Sequence, residues 1–368
     1  MSWPGPAASY AAQREEIDDA IRRVLDSGRY ILGEEVEEFE AEFAAFVGTP
    51  EAVGVASGTD ALAVALRSCG IGQGDRVATV AHTASATAAG IELAGAEPVL
   101  VDIDDTSMVM DVGSLARTLE DVDGVRAVVP VHLYGQPVDM PAVLDVARAN
   151  GALVVEDAAQ AHGAKMGDRR VGAWGDAAAF SCYPTKNLGA LGDAGVVTAN
   201  AETAAQARLI RQYGWRERYV SDFPGINSRL DPLQAAVLRV KLRQLDADNE
   251  QRAVVASWYH EVLPAAVTKP AISESTSHVF HQYVIRVAER GSLIAHLAAA
   301  GVPASVLYPV PIHRQPAYAG RLRCDPAGLA VTDAVCESLV CLPMHPLLTR
   351  AQVEFVADSV ATWLERQP

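Results

Sequence analysis

Between Val53 and Asn200 the chain alternates short apolar runs with segments of helical length, and this alternation restricts the fold more than any other feature. The runs are VGVA at 53, RVATV at 76, EPVLVDI at 97, VRAVVPVHL at 125, ALVVED at 152, AAAFS at 177 and AGVVTAN at 194. Helical stretches separate them at 59–69, 84–94 and 138–149. Such alternation predicts an α/β fold, a mostly parallel central sheet with helices on both faces. Ligands of such sheets gather beyond the carboxyl ends of the strands, so the residues that follow each run are the first candidates for function.

On either side of this region the pattern differs. Residues 13–27 (QREEIDDAIRRVLDS) place apolar groups at helical spacing and end at Gly28, a residue suited to a helix C-terminus, and a second amphipathic helix is expected at 34–46. After the helical stretch 231–260 the alternation fades into Pro-containing loops and short strands such as HQYVIRVAE at 281. A chain of 368 residues exceeds a typical single core. The expected division is a large α/β domain with an N-terminal helical segment over 1–245 and a smaller C-terminal α+β domain over 246–368.

Composition narrows the partners. A formal net charge of −16 argues against a surface that neutralises nucleic-acid phosphates. Local basic groups or backbone N–H groups can still hold a single anion in an acidic protein. No window approaches the ~20 apolar residues that span a bilayer, and the N-terminus MSWPGPAASYAAQREE lacks a basic segment followed by an apolar one. A cytoplasmic location with no membrane partner is expected. The five cysteines have no C-x-x-C spacing, which suggests neither a disulfide framework nor a metal site.

Four segments that follow strands carry the candidate chemistry. In SGTDAL at 57–62, Ser57, Gly58 and Thr59 lead into a helix whose free N–H groups could hold a phosphate or merely be capped. In VVEDAAQAHGA at 154–164 a buried strand ends in Glu156 and Asp157, with Gln160 and His162 close behind. Asp157 could keep a pyridinium nitrogen protonated, or could cap the next helix. In AAAFSCYPTKNLGALGDAG at 177–195, Lys186 sits in a Gly- and Pro-rich loop after an apolar strand, where an amine can be desolvated into a nucleophile. In PGINSRLDPLQAAVLRVKL at 224–242, Asn227, Ser228 and Arg229 precede a helix begun by Asp231 and Pro232; they could complete the cap or reach an anion.

The strings GTDAL, PVHLYGQPVDM, VVEDAAQAHGA, FSCYPTKNLGALGD and GINSRLDPLQAAVLRVKL, in this order, resemble the DegT/DnrJ/EryC1/StrS family of sugar aminotransferases. The resemblance extends from SGRYILG at 27–33 to YPVPIHRQPAY and LPMHP near the C-terminus. It implies an aspartate-aminotransferase-like architecture of fold type I, pyridoxal 5′-phosphate (PLP) as cofactor, and a homodimer with shared active sites. Lys186 then resembles the Schiff-base lysine, Asp157 the partner of the pyridine nitrogen and Gln160 the residue near the phenolic oxygen. Gly58, Thr59 and Ser181 match phosphate-binding positions, and Asn227 matches an asparagine that reaches the neighbouring subunit's phosphate. Many members place an aromatic residue where this chain has Ala84, within AHTASATA, so stacking on the cofactor is weaker or comes from elsewhere; His82 is the candidate.

The activity so implied is a ping-pong transamination from L-glutamate to a nucleotide-linked keto-deoxysugar, with the stretch 210–231 closest to members acting at C3 rather than C4. The same cofactor residues would serve a free cyclitol ketone as acceptor. A sugar dehydratase of the family would carry histidine where this chain has Lys186. A regulatory protein that merely binds PLP would need no electron sink at Asp157. A nicotinamide-dependent dehydrogenase is disfavoured because GIGQGD at 70–75 lacks G-x-G-x-x-G order. His132, Tyr134, His313 and His345 lie in family-like segments and are assigned no role.

Overall fold

The computed structural model describes residues 3–271 and 275–367. The chain opens with helices α1 (Pro6–Ala12), α2 (Arg14–Ser27) and α3 (Glu34–Val47). Gly28 ends α2 in the left-handed region, φ 65°, where a side chain would be strained. Next come β1 (Glu51–Val55), α4 (Gly58–Ser68), β2 (Arg76–Val80), α5 (Ser85–Ala94), β3 (Glu97–Val101), α6 (Val112–Asp121), β4 (Val125–Val129), α7 (Met140–Ala149) and β5 (Leu153–Asp157). A small hairpin of β6 (Lys165–Met166) and β7 (Arg169–Arg170) precedes β8 (Ala177–Ser181) and β9 (Gly195–Ala199). All seven apolar runs therefore contain strands.

These strands form an eight-stranded sheet in the order β1-β9-β8-β5-β4-β2-β3-β14, where β14 is Arg323–Cys324. Only β9 runs against the others, pairing antiparallel with both β1 and β8. Successive side chains of one strand enter different cores: Ala178 and Phe180 pack with Phe39, Phe43 and Leu238, whereas Ala177 and Ala179 pack with Leu62, Val64 and Leu66 of α4. Burial on both faces is why the strands read as unbroken apolar runs instead of alternating ones.

After β9 the chain forms α8 (Ala201–Ile210), a hairpin of β10 (Trp215–Glu217) and β11 (Val220–Ser221), α9 (Pro232–Leu242) and α10 (Leu245–Val262). The expected helical stretch 231–260 is thus two helices, and neither Pro nor Gly marks the break at Arg243 and Gln244. Beyond lie β12 (Thr276–Ser277), β13 (Tyr283–Arg286), α11 (Arg290–Ala299), β14, α12 (Ala330–Ser338), β15 (Leu339–Leu342) and α13 (Arg350–Leu364). α10, α11 and α13 share a separate core with the β13–β15 pair, built on Tyr259, Tyr283, Leu293, Leu297 and Val356. From within this C-terminal part β14 returns to pair with β3 at the edge of the large sheet. No helix among the described residues is long and apolar enough to cross a membrane.

Candidate active site

Beyond the carboxyl ends of β1, β2, β4, β5 and β8 lies a cavity of about 350 Å³, lined among others by Ser57, Gly58, Thr59, Thr83, Ala84, Thr87, Asp157, Gln160, Ser181, Lys186 and Tyr308. Parallel strands put the loops after them on one side of the sheet, which is how Ser57 and Lys186, 129 residues apart (186 − 57), reach a single site.

At one end, Ser57 caps α4 by accepting from the Asp60 N–H at 3.1 Å. The N–H groups of Gly58 and Thr59, in the first turn, then have no acceptor within the helix. A Cβ built on Gly58 would lie 2.4 Å from Ser181 Cβ, so only glycine lets the helix start approach β8 this closely. Gly195 is similarly constrained, its Cβ position being 2.1 Å from the Ser57 carbonyl oxygen. The result is a cradle of two free N–H groups, the Thr59 and Ser181 hydroxyls and a helix N-terminus, which suits a phosphate.

Asp157 closes β5 on another wall. Its Oδ2 accepts from Thr87 Oγ1 at 2.8 Å and its Oδ1 from the Ala159 N–H at 3.2 Å. Burial raises its pKa, opposed by these hydrogen bonds and by Lys186 and His132. A carboxylate held in this way is completed by a cationic N–H donor in the cavity. The neighbouring Glu156 is fully buried and saturated: it accepts from the N–H groups of Gly172, Trp174 and Gly175 at 2.7–2.8 Å and pairs with His132 Nε2 at 3.2 Å. His132 Nδ1 accepts from the Val138 N–H, so the imidazole serves to anchor the loop after β4.

Lys186 is half-buried, and burial lowers its pKa to about 8 against the pull of Asp157 and Cys182. Its loop is fixed by Asn187, whose Nδ2 donates to Asn249 Oδ1 at 2.8 Å and to the Val279 carbonyl at 3.0 Å. An amine whose pKa lies near 8 keeps a far larger neutral fraction at physiological pH than an ordinary lysine, which prepares it for nucleophilic attack on an aldehyde. Gln160 lines the same cavity, but its Oε1 accepts from the Tyr134 N–H at 2.7 Å and its Nε2 donates to Tyr308 Oη at 3.1 Å. The first of these bonds supports Tyr134 in the left-handed region, φ 61°.

Of the expected site residues, Gly58, Thr59, Asp157, Gln160, Ser181 and Lys186 converge on this cavity. His82 does not. Its ring is fully buried, with Nδ1 3.2 Å from Cys336 Sγ and Nε2 2.9 Å from Tyr134 Oη, and burial lowers its pKa to about 4. The expectation that His82 stacks on a ligand is corrected: the loop turns Thr83 and Ala84 into the cavity and the imidazole away from it. Asn227 is exposed, outside the cavity lining. His313 pairs with Asp333 at 3.0 Å. Thr87 and Tyr308, which hold Asp157 and Gln160, were not singled out from the sequence; Thr87 had a signal in its place just after β2, within AHTASATA, while Tyr308 depends on a contact across 148 residues.

Residues 11–361 match the model of the DegT/DnrJ/EryC1/StrS aminotransferase family. The chain is 45% identical to the dTDP-3-amino-3,4,6-trideoxy-α-D-glucose transaminase of Streptomyces venezuelae, over 98% of this chain and 95% of that one. It is 39% identical to the UDP-N-acetyl-3-dehydro-α-D-glucosamine 3-aminotransferase of Acidithiobacillus ferrooxidans, over 96% and 95%. Among solved structures it resembles S. venezuelae DesV in complex with a ketimine intermediate, with a TM-score of 0.94 and 44% identity over 99% of this chain and 98% of that one.

Proposed function

Because this chain belongs to the DegT/DnrJ/EryC1/StrS aminotransferase family, we propose that it is a cytoplasmic PLP-dependent aminotransferase making an amino sugar. The donor is L-glutamate and the acceptor the C3 ketone of a nucleotide-linked keto-deoxysugar. The observation that carries the reading is one cavity in which a desolvated amine, Lys186, and a buried carboxylate, Asp157, accompany a phosphate-sized cradle at Gly58, Thr59 and Ser181. Both similar enzymes carry a 3-amino product or a 3-keto substrate in their names, which supports C3 over C4. They differ in nucleotide, dTDP in one and UDP in the other.

PLP, when bound, supplies an electron sink that stabilises negative charge at the donor's Cα. Gly58, Thr59 and Ser181 would hold its phosphate, Asp157 its ring nitrogen and Lys186 its aldehyde carbon. Lys186 Nζ would take the proton from the donor's Cα, hold it as an ammonium, and return to the neutral amine by passing it to the carbon that was the cofactor's aldehyde. Asp157 would face the ring nitrogen and favour its protonated form, with the Thr87 hydroxyl and the Ala159 N–H holding its two oxygens in place. Asn227 would complete the phosphate site of a second subunit.

Borohydride reduction of the protein with PLP, followed by peptide mass analysis, should place the label on Lys186. L-glutamate should abolish the visible absorbance of the bound cofactor in wild type, and Lys186→Ala should lower that half-reaction by about 10³-fold or more. Nucleotide-linked 3-keto sugars should restore the absorbance faster than 4-keto sugars or free cyclitol ketones. A wild-type spectrum that no amino donor changes would overturn the reading.

A further inference from the structure

Lys186 also borders a second cavity, of about 480 Å³, which shares Thr185, Lys186, His281 and Gln282 with the first. Its other walls come from the start of the chain (Pro4–Gln13), the end of α9, one face of α10 and the loop Met344–Leu347. Nothing in the transamination chemistry above uses those walls.

Two basic residues there have no anionic partner. Arg252 on α10 is only 5% exposed, its Nη1 donates to the Phe280 carbonyl at 3.1 Å, and its buried Nε has no hydrogen-bond partner. Lys241, at the end of α9, donates Nζ to the Gly189 carbonyl at 2.6 Å. Among the described residues neither forms an ion pair within 4.0 Å. Burial lowers the pKa of Arg252 to about 10, against the pull of Asp248 one turn earlier on the same helix. Asp248 lines the same cavity and is the nearest compensation, one carboxylate for two cations, and burial raises its own pKa. His281 and His345 add no positive charge, because burial lowers both pKa values, that of His345 to about 4. Glu16 is exposed at the rim. A buried guanidinium with an open donor is costly to keep unless something supplies the missing anion. The volume exceeds what one amino acid fills and falls in the range of pockets for larger ligands.

We propose that this second cavity is the chamber from which substrates meet Lys186, and that Arg252 and Lys241 form its anion subsite. The subsite takes the carboxylate of the amino donor or the diphosphate of the acceptor. The identity of these two anions rests on the aminotransferase reading; the existence of the subsite rests on buried Arg252 and half-buried Lys241 lining one cavity without an ion-pair partner.

The test is calorimetric titration of the PLP-loaded enzyme with 2-oxoglutarate and, separately, with thymidine diphosphate, for wild type, Arg252→Gln, Arg252→Lys and Lys241→Gln. The Gln variants should weaken one anion by about tenfold or more and Arg252→Lys should recover much of the loss. Loss confined to 2-oxoglutarate assigns the subsite to the donor, loss confined to thymidine diphosphate to the acceptor, and loss of both to a subsite the two share in turn. Wild type that binds neither anion, or variants that bind both as wild type does, overturn the proposal. Lys241 is half-buried, so Lys241→Gln still decides the matter if Arg252→Gln fails to fold. Binding needs no turnover: anion affinity that depends on Arg252 in a protein inert to every amino donor would sink the aminotransferase reading and leave the subsite standing.

Discussion

At the scale of single residues, the site depends on two charges set against each other by burial. Desolvation lowers the Lys186 pKa to about 8 against the opposing pull of Asp157. Capture of PLP by the apoprotein should therefore accelerate with rising pH and level off above about pH 8, as the ammonium loses its proton. Asp157→Asn removes the charge that favours the ammonium, so the pKa falls further and the midpoint of that profile should move to lower pH. Stopped-flow absorbance across a pH series checks both. An unmoved midpoint would mean that Asp157 does not act on the amine through charge. Lys186 and Asp157 were legible in the sequence because each follows an apolar strand, where a charged side chain needs a reason. His82 was misread because it was the nearest ring to Ala84, where the resemblance leads one to expect an aromatic stacking residue. It too follows a strand, and only the packing of Cys336 and Tyr134 around its ring shows that it faces the interior instead of the cavity.

At the scale of elements, the loop after β4 and the end of β5 are tied to the turn before β8 by one carboxylate. Glu156 accepts three backbone N–H groups from residues 172–175 and pairs with His132. Glu156→Gln replaces an acceptor oxygen by a donor facing N–H groups, and should cost about 2–4 kcal/mol of stability. A lowered urea midpoint with an unchanged cofactor spectrum is the expected outcome; a stability equal to wild type would mean the loops hold themselves. Strand positions were readable because β1, β2, β4, β5, β8 and β9 are buried on both faces. The break between α9 and α10 was not, since Arg243 and Gln244 are ordinary helix formers and the turn there is set by packing.

At the scale of the whole molecule, Asn227 stands exposed, away from the cavity of its own chain. In the proposed dimer it acts on the partner's site, which predicts complementation. Asn227→Ala and Lys186→Ala homodimers should each be impaired, and refolding the two together should recover transaminase activity in mixed dimers, where one of the two sites has both residues intact. If the mixture stays as inactive as its components, the sites are not shared in this way.

Fold class was determined by the sequence alone because it arises from local rules, while Lys186 and Asp157 stood out as candidates after strands and took their roles from the resemblance. Unbroken apolar runs specify strands buried on two sides, and charged residues at strand ends mark the place where a parallel sheet gathers its ligands. Only the tertiary structure decided which way His82 points, that Thr87 and Tyr308 support Asp157 and Gln160, and that Arg252 is buried without an anion. Those are facts about side chains from segments far apart in sequence, and their partners exist only once the sheet has brought the segments together.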